Sequence, residues 1–280
     1  MSDPLVSTTW LAERLGRDDV HILDGSWWMP AENRDPHAEY LAAHIPGAAF
    51  FDIDAIADHT VDLPHMLPTP EAFAEAAGRL GLSRDAVIVA YDTFGVRAAA
   101  RVWWTLKAMG FANVFVLDGG LRAWRAEGRP VESGEAIPTP TTVTPAFHPE
   151  LVRSLDQVRA VLDARSAQVV DARGGARFRG EVPEPRLGLR SGHMPGASNI
   201  PFDMLLDADG RLKPAADIAA IFQTAGIDLS RPIVTTCGSG ITASVLALAL
   251  ARLGREDVAV YDGSWTEWAG RADTPVVTGA

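Results

Sequence analysis

The chain repeats itself, and that restricts its fold more than any other feature. Val20-His21-Ile22-Leu23-Asp24 resembles Gln168-Val169-Val170-Asp171, an apolar run closed by Asp, with the two aspartates 147 positions apart. His44-Ile45-Pro46-Gly47-Ala48 returns as His193-Met194-Pro195-Gly196-Ala197, 149 positions on. Ala86-Val87-Ile88-Val89-Ala90-Tyr91-Asp92 corresponds to Pro232-Ile233-Val234-Thr235-Thr236-Cys237, so that Asp92 falls opposite Cys237, 145 positions away. Asp118-Gly119-Gly120 with Trp124 matches Asp262-Gly263-Ser264 with Trp268 at an offset of 144. Four matches in one order at nearly constant offset mark a duplicated domain. The 280 residues accommodate two cores of about 140 residues each.

Within each copy, strand-like and helix-like segments alternate. In the second, Ser154–Arg165 is expected as an amphipathic helix capped by Ser154, Val169-Val170 as a buried strand and Pro214–Thr224 as a helix. Ile233–Thr236 reads as a strand, Thr242–Leu253 as a helix and Val258–Tyr261 as the last strand. Such alternation implies an α/β fold, a parallel sheet with helices on both faces of each domain. Pro130, Pro138, Pro140, Pro145 and Pro149, with Thr and Ser between, read as an extended linker. The expected division is a first domain over 1–130, a linker over 131–149 and a second domain over 150–280.

Composition narrows the partners. The net charge of −11 argues against a nucleic-acid or anionic-membrane surface. Of the 25 basic residues only Lys107 and Lys213 are Lys, so an Arg must be judged by its position. The single cysteine, Cys237, rules out an intrachain disulfide and any tetrathiolate zinc or iron–sulfur site within one chain. Residues 1–7 lack a basic region leading into an apolar run, and the longest apolar stretch, Ala243 to Ala251, is far too short to span a bilayer. A cytoplasmic protein is expected.

Cys237-Gly238-Ser239-Gly240-Ile241-Thr242-Ala243 joins a buried strand to an apolar helix. In an open parallel sheet, ligands bind beyond the carboxyl ends of the strands, where this turn lies. Gly238 and Gly240 lack Cβ atoms, so successive N–H groups can converge, and the following helix adds its positive end. Both favour an anion. A free thiol with pKa about 8.5 is only a few per cent ionised at pH 7, and a loop of this kind is expected to raise the reactive fraction. A buried, inert cysteine at a strand end is the competing reading.

The loop, the two His-x-Pro-Gly-Ala boxes, the closing Asp262-Gly263-Ser264-Trp265 and the duplication together resemble the tandem-domain rhodanese sulfurtransferases over nearly the whole chain. The resemblance implies a catalytic second domain and an inactive first one, in keeping with Asp92 opposite Cys237. Apart from Ile241 in place of Val, the loop is similar to that of members using 3-mercaptopyruvate as donor, whereas members using thiosulfate carry basic residues after the cysteine. The implied reaction moves sulfur through a Cys237 persulfide to a thiol acceptor such as thioredoxin, or to cyanide, and releases pyruvate with no metal or organic cofactor. Matching positions assign the substrate carboxylate to Arg177 and Arg186, and the substrate's surroundings to Gly238, Gly240, Ile241 and Thr242. Guanidinium forks suit a carboxylate because they donate two parallel hydrogen bonds. Asp54, His65 and Ser239 match a relay in which the carboxylate orients the imidazole and the imidazole polarises the hydroxyl; Asp52 and Asp58 are close enough in sequence to be confused with Asp54. Arg179 is read as a structural or surface residue. His44 and His193, present in both copies, are read as architectural.

Three rivals remain open. A thiosulfate sulfurtransferase would want cationic charge in the loop, which Gly238 and Ser239 do not offer. A Cys-x5-Arg phosphatase would need Arg six residues after the cysteine, where Ala243 stands. A silent sulfur-carrier module would need no substrate arginines.

Overall fold

A computed structural model describes residues 3–279. Ten strands form two five-stranded sheets. The first contains β1 (Leu5–Val6), β2 (Val20–Asp24), β3 (Ala48–Phe50), β4 (Val87–Tyr91) and β5 (Val114–Leu117); the second contains β6 (Val152–Arg153), β7 (Gln168–Asp171), β8 (Ser198–Asn199), β9 (Ile233–Thr236) and β10 (Ala259–Tyr261). Their orders, β1-β5-β4-β2-β3 and β6-β10-β9-β7-β8, are the same order written twice. Every pairing is parallel. The expected α/β architecture and the duplication are both present.

The inner strands β4, β9 and β10 are buried almost throughout because helices cover the sheets. In the second copy the helix Ala243–Arg252 is buried over its first nine residues, which are Ala, Leu and Val apart from Ser244, so it has no polar face. The amphipathic helix expected after Ser154 spans Leu155–Ala164, with Ser154 and Gln157 closing a capping box. Each copy has its own core: Ile22, Val89, Leu117 and Trp124 in one, Val158, Val169, Val234, Tyr261 and Trp268 in the other.

The repeated boxes are architectural, as expected. His44 Nδ1 bonds the Tyr40 carbonyl at 2.8 Å and its ring stacks on Tyr40; His193 Nδ1 bonds the Phe178 carbonyl at 2.9 Å and stacks on Phe178. Trp124 Nε1 donates to the Pro130 carbonyl and Trp268 Nε1 to the Pro275 carbonyl, at 2.7 and 2.8 Å.

The chain divides into two compact units. One holds the residues up to Asp58, with Leu67–His148 and Ala208–Leu212; the other holds His59–Met66, Pro149–Asp207 and the chain from Lys213 on. A linear division therefore omits two exchanged segments, one of them carrying His65. The Pro-rich stretch before His148 is extended but fastened to the first unit: Thr141 N bonds Gly78 O at 2.9 Å, His148 N bonds Ala108 O at 2.7 Å, and Arg84 donates to Thr144 O. Among the described residues no helix is long and apolar enough to cross a membrane.

Candidate active site

Cys237 follows β9 directly, at the point where the connections from β7 and β9 leave in opposite directions across the sheet. It is 2% exposed, and its Sγ accepts the Gly240 N–H at 3.2 Å. The peptide carbonyls of this turn are held away from the sulfur. Cys237 O accepts Trp265 N at 2.9 Å, and Gly238 O accepts Thr266 N at 2.9 Å and Thr266 Oγ1 at 2.7 Å. Cys237 N itself donates to Ser264 Oγ at 3.3 Å. With its oxygens committed to the 264–266 turn, the loop presents N–H groups to the thiol side.

The first copy displays what such a turn holds. There the Asp92 carboxylate accepts four backbone N–H groups: Phe94 at 2.8 Å and Gly95 at 2.6 Å on Oδ1, Ala98 at 2.6 Å and Ala99 at 2.8 Å on Oδ2. Asp92 O accepts Leu121 N at 3.0 Å, as Cys237 O accepts Trp265 N. At the offset that pairs Asp92 with Cys237, these four amides correspond to Ser239, Gly240, Ala243 and Ser244. The turn is an anion receptor. In one copy an aspartate fills it; in the other a thiol sits at its mouth.

The two glycines differ in what they contribute. Gly240 takes φ +85°, a conformation costly for any residue with a Cβ. Gly238 lies outside that region; a Cβ there would stand 3.2 Å from Arg177 Nη2, a side-chain end that would have to give by a few tenths of an ångström, and 3.9 Å from Arg186 Nη1. Both guanidinium groups thus lie against the residue that follows the thiol.

Arg177 sits in the short helix Gly175–Phe178, and its Nε and Nη2 are taken by Glu184. Glu184 is buried, and its Oε1 also accepts Arg173 Nη1 at 2.9 Å. Arg173, wholly buried over the Trp265 ring, grips both oxygens of Asp171 at the end of β7. Arg186 is half-buried, with Nη2 3.3 Å from His65 Nε2. A guanidinium can only donate, so in this contact Nε2 accepts and carries no proton. His65 is buried and adopts φ +63°.

Ser239 and Ile241 are buried in the loop, and Thr242 is the N-cap residue of the helix that follows. Cys237, Gly238, Ser239, Gly240, Arg177, Arg186 and His65 therefore belong to one unit. Asp54 belongs to the other, exposed on the helix Ile53–Ile56, where it accepts Trp27 Nε1 at 2.9 Å. Asp52 caps that helix through Asp54 N and Ala55 N. Arg179 forms an exposed ion pair with Glu181. Beside Arg186 and Thr266 opens a cleft of about 730 Å³, walled by Val61, Leu63, Leu187 and Leu189. A cleft of about 830 Å³ lies at the far end of the same sheet, at Gln168 and Ser198, away from the thiol. Among the described residues no group of three or more His, Cys, Asp or Glu side chains is placed to hold a metal ion.

Sequence reasoning missed Glu184 and Thr266. Glu184 stood in plain view in Glu184-Pro185-Arg186, an acid between two candidate carboxylate-binding arginines. For Thr266 the signal was a difference between the copies, since Arg122 occupies the matching position.

A family model for the rhodanese-like domain matches twice, over residues 7–127 and 154–271, and the chain belongs to that family. The resemblance drawn from the motifs is thereby upheld. A human protein named 3-mercaptopyruvate sulfurtransferase is 44% identical over 274 residues, covering 96% of this chain and 92% of that one. An Arabidopsis thaliana protein named thiosulfate/3-mercaptopyruvate sulfurtransferase 1, mitochondrial, is 46% identical over 296 residues, covering 98% and 78%. The crystal structure of SseA from Escherichia coli, described with the fold and mechanism of 3-mercaptopyruvate sulfotransferases, superposes with a TM-score of 0.87 at 41% identity, covering 94% of this chain and 99% of that one.

Proposed function

We propose that this chain is a 3-mercaptopyruvate sulfurtransferase. The single observation that supports it most is the juxtaposition at Gly238: a thiol at the mouth of an anion-binding turn, with two guanidinium groups against the next residue. The donor carboxylate docks on Arg186 and the open edge of Arg177. The Cys237 thiolate attacks the donor sulfur, the carbon–sulfur bond breaks, and its electron pair passes into the neighbouring ketone as an enolate. Ser239 is the proposed proton donor to that enolate, with His65 polarising its hydroxyl. Pyruvate leaves, and the Cys237 persulfide gives up its proton to become an anion on the loop amides. An acceptor thiolate then attacks the outer sulfur and Cys237 departs as thiolate, closing a two-step covalent cycle.

Thiols such as a reduced thioredoxin are the acceptor class this chemistry asks for, and the cytoplasm is the proposed setting. The test is mass spectrometry of the Cys237 peptide after incubation with 3-mercaptopyruvate and no acceptor. Gain of one sulfur atom, absent in Cys237→Ser, is the expected result. An unmodified peptide, or a Cys237→Ser protein that still releases pyruvate, overturns the reading.

A further inference from the structure

We propose that Thr266 is a positioning residue for the persulfide: its hydroxyl fixes the Gly238–Ser239 peptide so that the Ser239 N–H meets the outer sulfur. This inference rests on the donor reading above and adds a residue to it. Thr266 Oγ1 donates to Gly238 O at 2.7 Å, and Thr266 N donates to the same oxygen at 2.9 Å. In a trans peptide the C=O and N–H point in opposite directions, so an oxygen drawn to the 264–266 turn sends the Ser239 N–H to the thiol side. A carbonyl that accepts a hydrogen bond also polarises its own peptide, which makes that peptide's N–H the stronger donor. Among the described residues the Ser239 N–H meets no acceptor of its own.

The first copy shows what that N–H can hold. Phe94 N, its counterpart, donates to the Asp92 carboxylate at 2.8 Å. A carboxylate oxygen stands two bonds beyond Cβ, as the outer sulfur of a persulfide does, whereas a thiol sulfur stands one bond beyond it. The thiol of Cys237 accordingly reaches Gly240 N, at 3.2 Å, and the Ser239 N–H is left for the next sulfur. Arg122, at the position matching Thr266, spends its guanidinium on Ala208 O and Asp209. The hydroxyl clamp therefore belongs to the copy that carries the thiol, where the anion is made and discharged in each cycle.

Two half-reactions are measured separately. One is single-turnover formation of the Cys237 persulfide from 3-mercaptopyruvate, followed by pyruvate release and by the mass of the Cys237 peptide. The other is discharge of the loaded protein by dithiothreitol, which becomes the cyclic disulfide while the outer sulfur leaves as hydrogen sulfide. Thr266→Val keeps the shape and the backbone N–H but lacks the hydroxyl. It is expected to slow persulfide formation about three- to tenfold, within the span of one neutral hydrogen bond, with the half-saturating donor concentration unchanged. Discharge is expected not to slow, because a persulfide held less firmly gives up its sulfur more readily. Alkylation of unloaded Cys237 by a neutral reagent is expected to stay within about twofold of the wild type. Thr266→Ser restores the hydroxyl and is expected to recover most of the rate; a side chain needed only for packing gives the reverse order, with Val tolerated better than Ser. Thr266→Ala is the deciding variant if Thr266→Val does not fold. Persulfide formation at the wild-type rate in Thr266→Val overturns the inference, as does a Thr266→Ser protein equally slow, or formation, discharge and alkylation all falling together. A loss carried by the half-saturating donor concentration also overturns it, since that marks a hydroxyl that binds the donor in the cleft beside Arg186. A wild-type protein that gains no sulfur from 3-mercaptopyruvate overturns the donor reading itself, and the inference with it.

Discussion

Asp92 offers the most direct test of the idea that this turn is built for an anion. Its carboxylate holds four backbone N–H groups, three of those contacts fully buried, and no water need enter to satisfy them. Asp92→Asn is nearly isosteric, but only one of its two terminal atoms can accept. If Oδ1 stays on Phe94 and Gly95, the new NH2 group faces the N–H groups of Ala98 and Ala99, donor against donor. A buried donor left unsatisfied costs about 1–3 kcal/mol, so the substitution is expected to remove about 2–6 kcal/mol. That is a large share of the roughly 5–15 kcal/mol by which domains are stable. The assay is equilibrium urea unfolding followed by tryptophan fluorescence, which weights the first copy because Trp10, Trp27, Trp28, Trp103, Trp104 and Trp124 all lie there. A second arm uses Asp92→Ala, which vacates the receptor. Formate is expected to raise the midpoint of that variant by mass action and to leave the wild type unaffected beyond its general salt effect. A loss below about 1 kcal/mol in Asp92→Asn, with no response of Asp92→Ala to formate, would refute the receptor reading for both copies.

Other outcomes follow from the same contacts. Asp24 is pushed up to about 6, chiefly by burial, with the Asp92 charge adding to it. Its folded form keeps a proton that the unfolded chain has lost between about pH 4 and 6, so this group's contribution to stability falls as pH rises through that window; the penalty above it is about 3 kcal/mol. Asp24→Asn is accordingly expected to be more stable relative to wild type at pH 7.5 than at pH 4.5, as read from paired urea curves; a pH-independent difference would contradict the assignment. Arg177→Ala and Arg186→Ala are each expected to lower kcat/KM for 3-mercaptopyruvate by about 1.5–3 kcal/mol, while alkylation of Cys237 by a neutral reagent changes much less. Unchanged kinetics in both would make them surface residues. His65→Ala is expected to slow single-turnover release of pyruvate; if it acts only through KM, its task is to hold Arg186.

Local pattern carried most of the fold because each local choice agreed with the global one. The strand Ile233–Thr236 and the helices after Ser154 and Pro214 appear within one or two residues of where periodicity and capping put them. The exchanged segments His59–Met66 and Ala208–Leu212 were not legible, since allegiance of an irregular loop is decided by tertiary contacts that leave no period in the sequence. Within the site, Cys237 was legible from its strand end and glycines, whereas the role of Glu184 was not, because its pairing with Arg173 and Arg177 is a tertiary contact that leaves no period in the sequence.

The duplication is what separates scaffold from site. The stacked histidines, the tryptophan-to-carbonyl bonds and the N–H clamp on the carbonyl of residue 92 or 237 occur in both copies, so the fold alone requires them. Asp24 accepts Ser26 N at 2.9 Å where Asp171 accepts Arg173 N at 2.9 Å, so even the aspartate turn after the second strand is shared. What differs is the residue that follows it. Ser26 leaves Asp24 without a guanidinium, and its carboxyl rises to about 6 beside a receptor already closed by Asp92. Arg173 instead anchors Asp171 and Glu184, and through Glu184 brings Arg177 against Gly238. The second copy also adds the Thr266 hydroxyl to the clamp on the loop. The thiol, the arginine network and the second clamp occur together in the one copy whose receptor is left open, which is the arrangement a site selected for anion chemistry would have.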